Sequence, residues 1–554
     1  MLNSSALTRR AFTTTAAAGL AGQSSSRPNI LWLVSEDIGP QLGAYGDRYA
    51  RTPNLDRFAT TALRYDHCWS VAPVCAPART CIISGAYPPS LGADHMRSSV
   101  RLPSGFQMFP QYLRGAGYYC SNNAKEDYNL KKPGQVWDDS SPQAHWRKRA
   151  AGQPFFAVFN FGITHESQVL RRRENLVHDP AQAPLPAYYP DTPEIRRDIA
   201  QYYDNISTMD GQVAQVLAEL EADGLAEDTI VFFYGDNGRC LPRGKRMPYD
   251  SGLHVPLMVR VPAKHSAHAP AGYRAGASTR RLVSFADLAP TVLNVAGVKA
   301  PAWYQGRAFL GPDSGGESPF IHGFRGRMDE RIDLMRATRD QRYVYVRNYL
   351  PHRPQGQYLE YMFQTPTTRV WKQLFDAGKL NAAQSRFWKP KECEELYDLQ
   401  SDPDEVTNLA ASPDHAAKLD ELRTALVDQI TAIRDVGLLP EGPRLNWAQA
   451  AGGSPYDFAR QEDFYAAQVW HSVAIHATDP TNASRTLLLN LRRAAWDEEL
   501  CRYFQIPTAL LPEIRPSAGS FGTTANLAFL PDGLPIAGVA GDAEDGPDPL
   551  EWFI

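Results

Sequence analysis

Cysteine is scarce in this chain. Its 554 residues hold seven, at positions 68, 75, 81, 120, 240, 393 and 501. The number is odd and no two form a CxxC pair, so the spacing spells neither a disulfide framework nor a thiolate zinc site. An excess of charge is lacking as well: 57 Lys and Arg stand against 61 Asp and Glu, a formal net of -4. That balance does not fit a nucleic-acid groove, and an anionic ligand must be held by local cations rather than by the field of the whole protein. No apolar run reaches the ~18 residues that a membrane-spanning helix needs. What is present, 43% hydrophobic and 21% charged residues, is the composition of a globular protein of two or three domains.

The N-terminus reads Thr8-Arg9-Arg10-Ala11-Phe12, followed by a run rich in Ala and Thr from Thr13 to Gly22. It resembles a bacterial twin-arginine export signal, and the run is too short and mild for a membrane anchor. Gln23, not cysteine, follows Leu20-Ala21-Gly22, which excludes lipoprotein processing. Residues 1–26 are expected to be a signal segment, and the mature protein periplasmic or secreted.

From Arg27 onward, short β-rich apolar runs alternate with helical patterns, the signal for a mostly parallel sheet with crossover helices. Residues 30–35, 118–121, 155–161, 230–234 and 255–261 read as strands. Residues 53–63 read as a helix with proline at its start, and 193–223 as a long helix that stops at Gly224. After about Gly315 the pattern turns to β-rich segments at 320–323 and 343–348, then a long helix near 416–435. Ligand sites in such sheets lie beyond the carboxyl ends of the strands. Glu36-Asp37, His165 and Asp236-Asn237 each fall just after one of those strands.

These residue types carry chemistry. Glu36, Asp37, Asp236 and Asn237 offer only oxygen, the preference of Ca2+ or Mg2+ rather than zinc. Alone, Asp236-Asn237-Gly238 reads as a turn; together with Glu36-Asp37 it reads as a metal shell. Lys125 and Lys245 are candidates for binding an anion and supporting its charge, with plain surface lysines as the alternative. Histidine as a residue type suits a general acid at neutral pH, which makes His165 a candidate for that role, against a structural histidine. Cys75 is followed at fixed offsets by Pro77 and Arg79, and Ser84-Gly85 closes the segment. Pro77 fits a helix start, whose N–H groups and positive dipole end would face a bound anion.

The C-x-P-x-R of residues 75–79 resembles the signature of type I sulfatases. Glu395-Leu396-Tyr397-Asp398-Leu399, with Asp402-Pro403 and Asn408-Leu409, resembles a stretch near the end of many members. NNAKEDYN (122–129), NFGITHES (160–167) and LMRATRDQRYVYVRN (334–348) are similar to bacterial sulfatases related to N-sulfoglucosamine sulfohydrolase. The resemblance runs from about residue 27 to 440. It implies an alkaline-phosphatase-like α/β sandwich, with a mostly parallel central sheet flanked by helices and a smaller C-terminal α+β subdomain. Residues 27–315 would form the catalytic domain and 316–445 the subdomain.

For the site, the resemblance implies that Cys75 is oxidised to formylglycine by a formylglycine-generating enzyme. The aldehyde hydrate would attack the sulfur of a sulfate ester, form a covalent sulfated intermediate and release sulfate from it. One Ca2+ (or Mg2+) would be bound by Glu36, Asp37, residue 75, Asp236 and Asn237. Arg79 would contact the activated nucleophile, Lys125 and Lys245 the sulfate, and His165 would protonate the leaving group; His254 would contact substrate. Two departures stand out. Glu36-Asp37 replaces the usual Asp-Asp pair, and Asp127 occupies the slot of the family's histidine in K-x-H. The implied substrate is a sulfated sugar bearing N- or O-sulfate, such as a glycosaminoglycan fragment, or an aryl sulfate. Loops 128–153 and 350–390 would set selectivity.

Residues 477–542 are similar to an internal piece of glycerol kinase, with Asp542 at that family's catalytic aspartate. The phosphate-binding strand pair and the nucleotide subdomain of that family are not found in this chain, so 446–554 is expected to be non-catalytic. Two rival readings remain for the main body. One is a phosphomonoesterase or phosphonate hydrolase of the same superfamily, which more often uses serine or threonine and two metals bound partly by histidine. The other is a non-catalytic sulfated-glycan-binding protein, should Cys75 stay unmodified.

Overall fold

The computed structural model describes residues 27–461 and short segments between 477 and 538; residues 1–26, Cys501 and Asp542 lie outside the described residues. Ten strands come before residue 285: β1 (Asn29–Ser35), β2 (Leu63–Trp69), β3 (Val100–Arg101), β4 (Tyr119–Asn123), β5 (Leu130–Lys131), β6 (Asp139–Ser140), β7 (Phe155–Phe161), β8 (Thr229–Gly235), β9 (His254–Arg260) and β10 (Ser278–Ser284). Eight form one sheet in the order β10-β2-β9-β8-β1-β7-β4-β6, while β3 and β5 pair separately. The ladders of the large sheet are parallel, except that β9 runs antiparallel to both β2 and β8.

β1 is buried along its whole length, as a strand covered on both faces must be. Alternation sorts its side chains between two cores. Ile30, Trp32 and Val34 join Ala78, Cys81 and Ile82 of helix Cys75–Ser84 and Val292 of helix Leu288–Val295. Leu31 and Leu33 join Ile199, Tyr202, Ile206 and Val213 of helix Pro193–Ala222 on the other face. That long helix starts as its sequence predicts, with Pro193 in its first turn and the Thr192 hydroxyl accepting from the Ile195 N–H. Gly224, at φ 68, follows its end.

Two local expectations differ. The helix expected over 53–63 stops at Ala59, because the hydroxyls of Thr60 and Thr61 turn back onto the carbonyls of Arg57 and Phe58. The chain then enters β2, which sequence pattern did not reveal. Like β10, it carries charged and half-exposed residues within its run, as strands at or near a sheet edge can.

Beyond residue 320, β11 (Ile321–Arg325), β12 (Met335–Arg339), β13 (Tyr343–Asn348) and β14 (Glu394–Asp398) form an antiparallel sheet in chain order. Helix Ala416–Ile433 lays Leu419, Leu422, Leu426 and Ile430 against Tyr345 and Leu396. The whole is the expected architecture: a mostly parallel central sheet between helices, joined to a smaller α+β unit. Asp250 fastens the two sheets together. Its carboxylate accepts from Trp69 Nε1 (2.8 Å) on β2, Arg339 Nη1 (2.6 Å) on β12 and His254 Nδ1 (3.0 Å) on β9.

Candidate active site

β7, β1 and β8 end level with one another, Ser35 lying opposite both Phe161 and Gly235. The residues that follow therefore emerge side by side. The Glu36 N–H donates to the Phe161 carbonyl (3.2 Å) and the Asp236 N–H to the Ser35 carbonyl (2.9 Å). Asp37 takes a left-handed backbone, φ 50, which aspartate tolerates better than most residues. The turn directs its N–H to Asp236 Oδ1 (3.0 Å). Gly238 closes the loop after Asn237: an added Cβ would lie 2.3 Å from the Ser251 carbonyl oxygen. Here the glycine serves close backbone approach.

Cys75 is the first residue of helix Cys75–Ser84, entered from an extended Val74. Its Sγ lies 3.5 Å from Asp37 Oδ1, 3.6 Å from Asn237 Nδ2 and 3.3 Å from Lys245 Nζ. Lys245 Nζ also contacts Asp37 Oδ1. Ligand atoms of Asp37, Cys75 and Asp236 lie within 4.8 Å of one another, as do those of Glu36, Cys75 and His165. The Lys245–Asp37 contact spans 208 residues of sequence.

Burial, with Asp236 nearby, pushes the Cys75 thiol far above its ordinary range despite Lys245 and Lys125. The group is a neutral thiol at neutral pH. Burial would raise Asp37 too, but Lys245 and His165 overcome it and hold this carboxyl well below the usual range. Lys245 is opposed by burial, yet Asp37 and Cys75 drive its ammonium well above normal. Lys125, 2.7 Å from Glu36 Oε2, is raised in the same way against burial. Glu36, Asp37, Glu166 and Asp236 face Arg79, Lys125, Lys245 and Arg246.

The donor set fits a hard cation. Three carboxylates and one amide converge here, and Asn237 Oδ1 is buried with no hydrogen-bond partner among the described residues. A buried carbonyl oxygen left unpaired calls for a ligand, and an oxygen-binding cation supplies one.

The other expected residues divide. Arg79 binds Asp236 Oδ2 through Nε (3.0 Å) and Nη2 (2.9 Å), and Asn160 Oδ1 through Nη1 (2.8 Å). Its hydrogen bonds thus orient an acid of the shell. His165 caps helix Glu166–Leu170, its Nδ1 accepting from the Ser167 N–H. The neutral tautomer therefore carries its proton on Nε2, the nitrogen 4.0 Å from Asp37 Oδ2. Asp127 lies at the rim, 3.9 Å from Lys125 Nζ and 3.2 Å from Arg97 Nη1. His254 is not joined to the cluster: its two ring nitrogens are taken by Asp250 and the Asp66 carbonyl, so it ties β9 in place.

Three residues escaped sequence reading. Asn160, at the end of β7, links Arg79 to Asn122 Oδ1 (2.9 Å). Glu166 donates its N–H to Asp37 Oδ2 (2.9 Å) and holds Arg246 through two bonds of 2.8 Å. Glu166 and Arg246 adjoin His165 and Lys245, while Asn160 lies within the run 155–161 read as a strand.

Fold and site together are those of an alkaline-phosphatase-like α/β enzyme. The family model described as Sulfatase matches residues 28–298. An ulvan-active sulfatase of Formosa agariphila is 42% identical over 471 residues, covering 76% of this chain and 77% of the relative. The N-sulphoglucosamine sulphohydrolase of Homo sapiens is 27% identical over 467 residues, covering 73% and 90%. A solved structure of a protein in complex with its substrate D-glucosamine-2-N,6-O-disulfate matches with TM-score 0.54 at 18% identity, over 75% of this chain and 99% of that one. The chain belongs to the sulfatase family, enzymes that hydrolyse sulfuric esters. The tail differs. The model of the FGGY family of carbohydrate kinases, N-terminal domain, matches residues 469–546. A glycerol kinase of Bdellovibrio bacteriovorus is 52% identical there over 69 residues, 14% of that kinase's length.

Proposed function

We propose that this enzyme removes sulfate, O- or N-linked, from a sulfated carbohydrate, with residue 75 oxidised to formylglycine and one Ca2+ or Mg2+ held by Glu36, Asp37, Asp236 and Asn237. Cys75 Sγ then stands in for an oxygen of the aldehyde hydrate. The observation that carries the reading is the meeting of position 75, two buried aspartates, Asn237 and Lys245 within hydrogen-bonding reach. The neutral, buried thiol supports it as well, because such a group is a weak nucleophile unless oxidised. When bound, the cation neutralises sulfate oxygens and acidifies the hydrate.

The chain's own groups supply the rest. Lys245, beside position 75, and Lys125, beside Glu36, hold the sulfuryl oxygens and offset their growing charge. Arg79 keeps Asp236 aimed. His165 presents its Nε2–H to the departing oxygen or nitrogen as its bond to sulfur breaks. One water is consumed for each sulfate released. The ulvan-active and N-sulphoglucosamine relatives support a glycan substrate. Residues 1–26 direct export to the periplasm or beyond, a formylglycine-generating enzyme matures position 75, and the kinase-like tail takes no part in catalysis.

Peptide mass spectrometry and sulfate release test this together. The peptide bearing position 75 is expected about 18 Da lighter than its cysteine form, and a panel of sulfated mono- and disaccharides to yield free sulfate. Cys75→Ala is expected to abolish release and leave the melting temperature within about 2 °C. Unmodified cysteine in active enzyme, or full activity in Cys75→Ala, overturns the nucleophile assignment.

A further inference from the structure

We propose that Arg97 recognises a second anionic group of the substrate, a carboxylate or a further sulfate, at the outer rim of the site; the inference rests on the sulfatase reading above. A chain of charges leads outward from the metal shell. Glu36 Oε2 meets Lys125 Nζ at 2.7 Å, Lys125 meets Asp127 Oδ2 at 3.9 Å, and Asp127 Oδ1 meets Arg97 Nη1 at 3.2 Å. Side-chain exposure is 8% at Glu36, 22% at Lys125 and 18% at Asp127, and reaches 66% at Arg97, where the chain of charges ends in solvent. The guanidinium therefore stands where a group next to the reacting sulfate enters from solvent.

Its placement is built rather than incidental. Arg97 and Asp127 both hold left-handed backbone, φ 66 and 51, which residues with side chains keep only when their surroundings fix them. Buried Asn129 does the fixing. Its Oδ1 accepts the Arg97 N–H (3.0 Å), and its Nδ2 donates to the carbonyls of Ala93 (2.9 Å) and His95 (2.8 Å). Its own N–H donates to Thr80 Oγ1 (2.9 Å) on the helix that starts with Cys75. Val74, beside position 75, and Met96, beside Arg97, pack together with Met328. Two independent links thus fix the backbone of Arg97 relative to the nucleophile. An exposed ion pair with Asp127 contributes little to stability and does not account for such support. Arg97 engages Asp127 through Nη1, and a guanidinium carries five N–H donors in a fork suited to carboxylate and sulfate.

Binding is measured by calorimetry on full-length Cys75→Ala protein, which cannot turn over, with three probes. These are a monosulfated disaccharide bearing a uronate, the same compound with its carboxylate reduced to an alcohol, and a disaccharide without a uronate that carries two sulfates. Adding Arg97→Gln is expected to weaken one or both doubly anionic probes roughly ten- to hundredfold while changing the reduced probe less than about twofold. Whichever probe responds identifies the source of the second anion, and Arg97→Lys should restore part of the discrimination. Equal weakening of all three probes, no weakening of any, or no preference for the anionic probes when Arg97 is intact overturns the inference. Sulfate release by the wild-type enzyme from the monosulfated probes is scored separately. No release alongside intact Arg97-dependent binding overturns the hydrolase reading alone.

Discussion

Asp236 shows how much a single side chain can carry. Its Oδ1 accepts from the Asp37 N–H and Asn237 Nδ2, and its Oδ2 from Arg79. Replacing it by alanine takes away a carboxylate of the proposed cation shell and leaves Arg79 buried against a lost partner. Asp236→Ala is expected to lose the bound divalent cation and at least about a hundredfold in sulfate release, read by elemental analysis beside an activity assay. Retained metal stoichiometry would contradict the shell. Glu36 adds a methylene to the usual first acid. In the structure that longer arm reaches Lys125 and leaves Asp37, not Glu36, in contact with Sγ. The substitution at 127 has a different outcome: Asp127 joins the rim cations Lys125 and Arg97, so the histidine role of the family's K-x-H pattern is not reproduced by its contacts.

At the scale of elements, the short helix Asp250–Leu253 ends the loop that carries Lys245, and it is held from below. Glu405, from the Asp-Pro-x-Glu stretch, accepts the Asp250 N–H at 3.0 and 3.2 Å through its two carboxylate oxygens. Burial outweighs the nearby Arg243 and pushes Glu405 up to about 8 from an ordinary 4.5. A carboxyl raised in the folded state binds its proton more tightly there than in the unfolded chain. Its contribution to stability is therefore complete below about 4.5 and is lost as pH climbs through about 8. Glu405→Gln, which cannot ionise, should flatten the fall in melting temperature between those limits. An unchanged slope in a pH series of thermal unfolding would refute this account.

Across the whole molecule, the residues assigned to catalysis and metal binding lie between Glu36 and Lys245, and the second sheet braces them through Asp250 and Glu405. None of them comes from the part matched by the carbohydrate-kinase model, residues 469–546. A chain ending at residue 461 is expected to release sulfate within about twofold of the full protein, judged against the scatter of neutral surface changes. ATP-dependent phosphorylation of glycerol by the full chain should not rise above background. A tenfold loss on truncation would assign the tail a part in the enzyme.

Much of this was legible in the order of residues. Residues 155–161 and 193–223 declare themselves by an apolar composition broken only at Asn160 and by helical period with a Thr-Pro start, since those signals are local. The strand ends carrying Glu36-Asp37, His165 and Asp236-Asn237 were legible for the same reason. β2 and β10 were not, because charged residues within them are accommodated only by their place toward one side of a sheet. The chain alone supplied the kinds of chemical group: oxygen donors, lysines and a cysteine at a helix start. Only the folded molecule decided which of them meet. The level ends of three parallel strands bring Asp37 and Asp236 together, Arg79 turns to an acid of the shell, His254 is spent on β9, and Asn160 and Arg246 enter unannounced. Side-chain partners are fixed by contacts across 157 to 208 residues of sequence, and no local pattern encodes a distance of that kind.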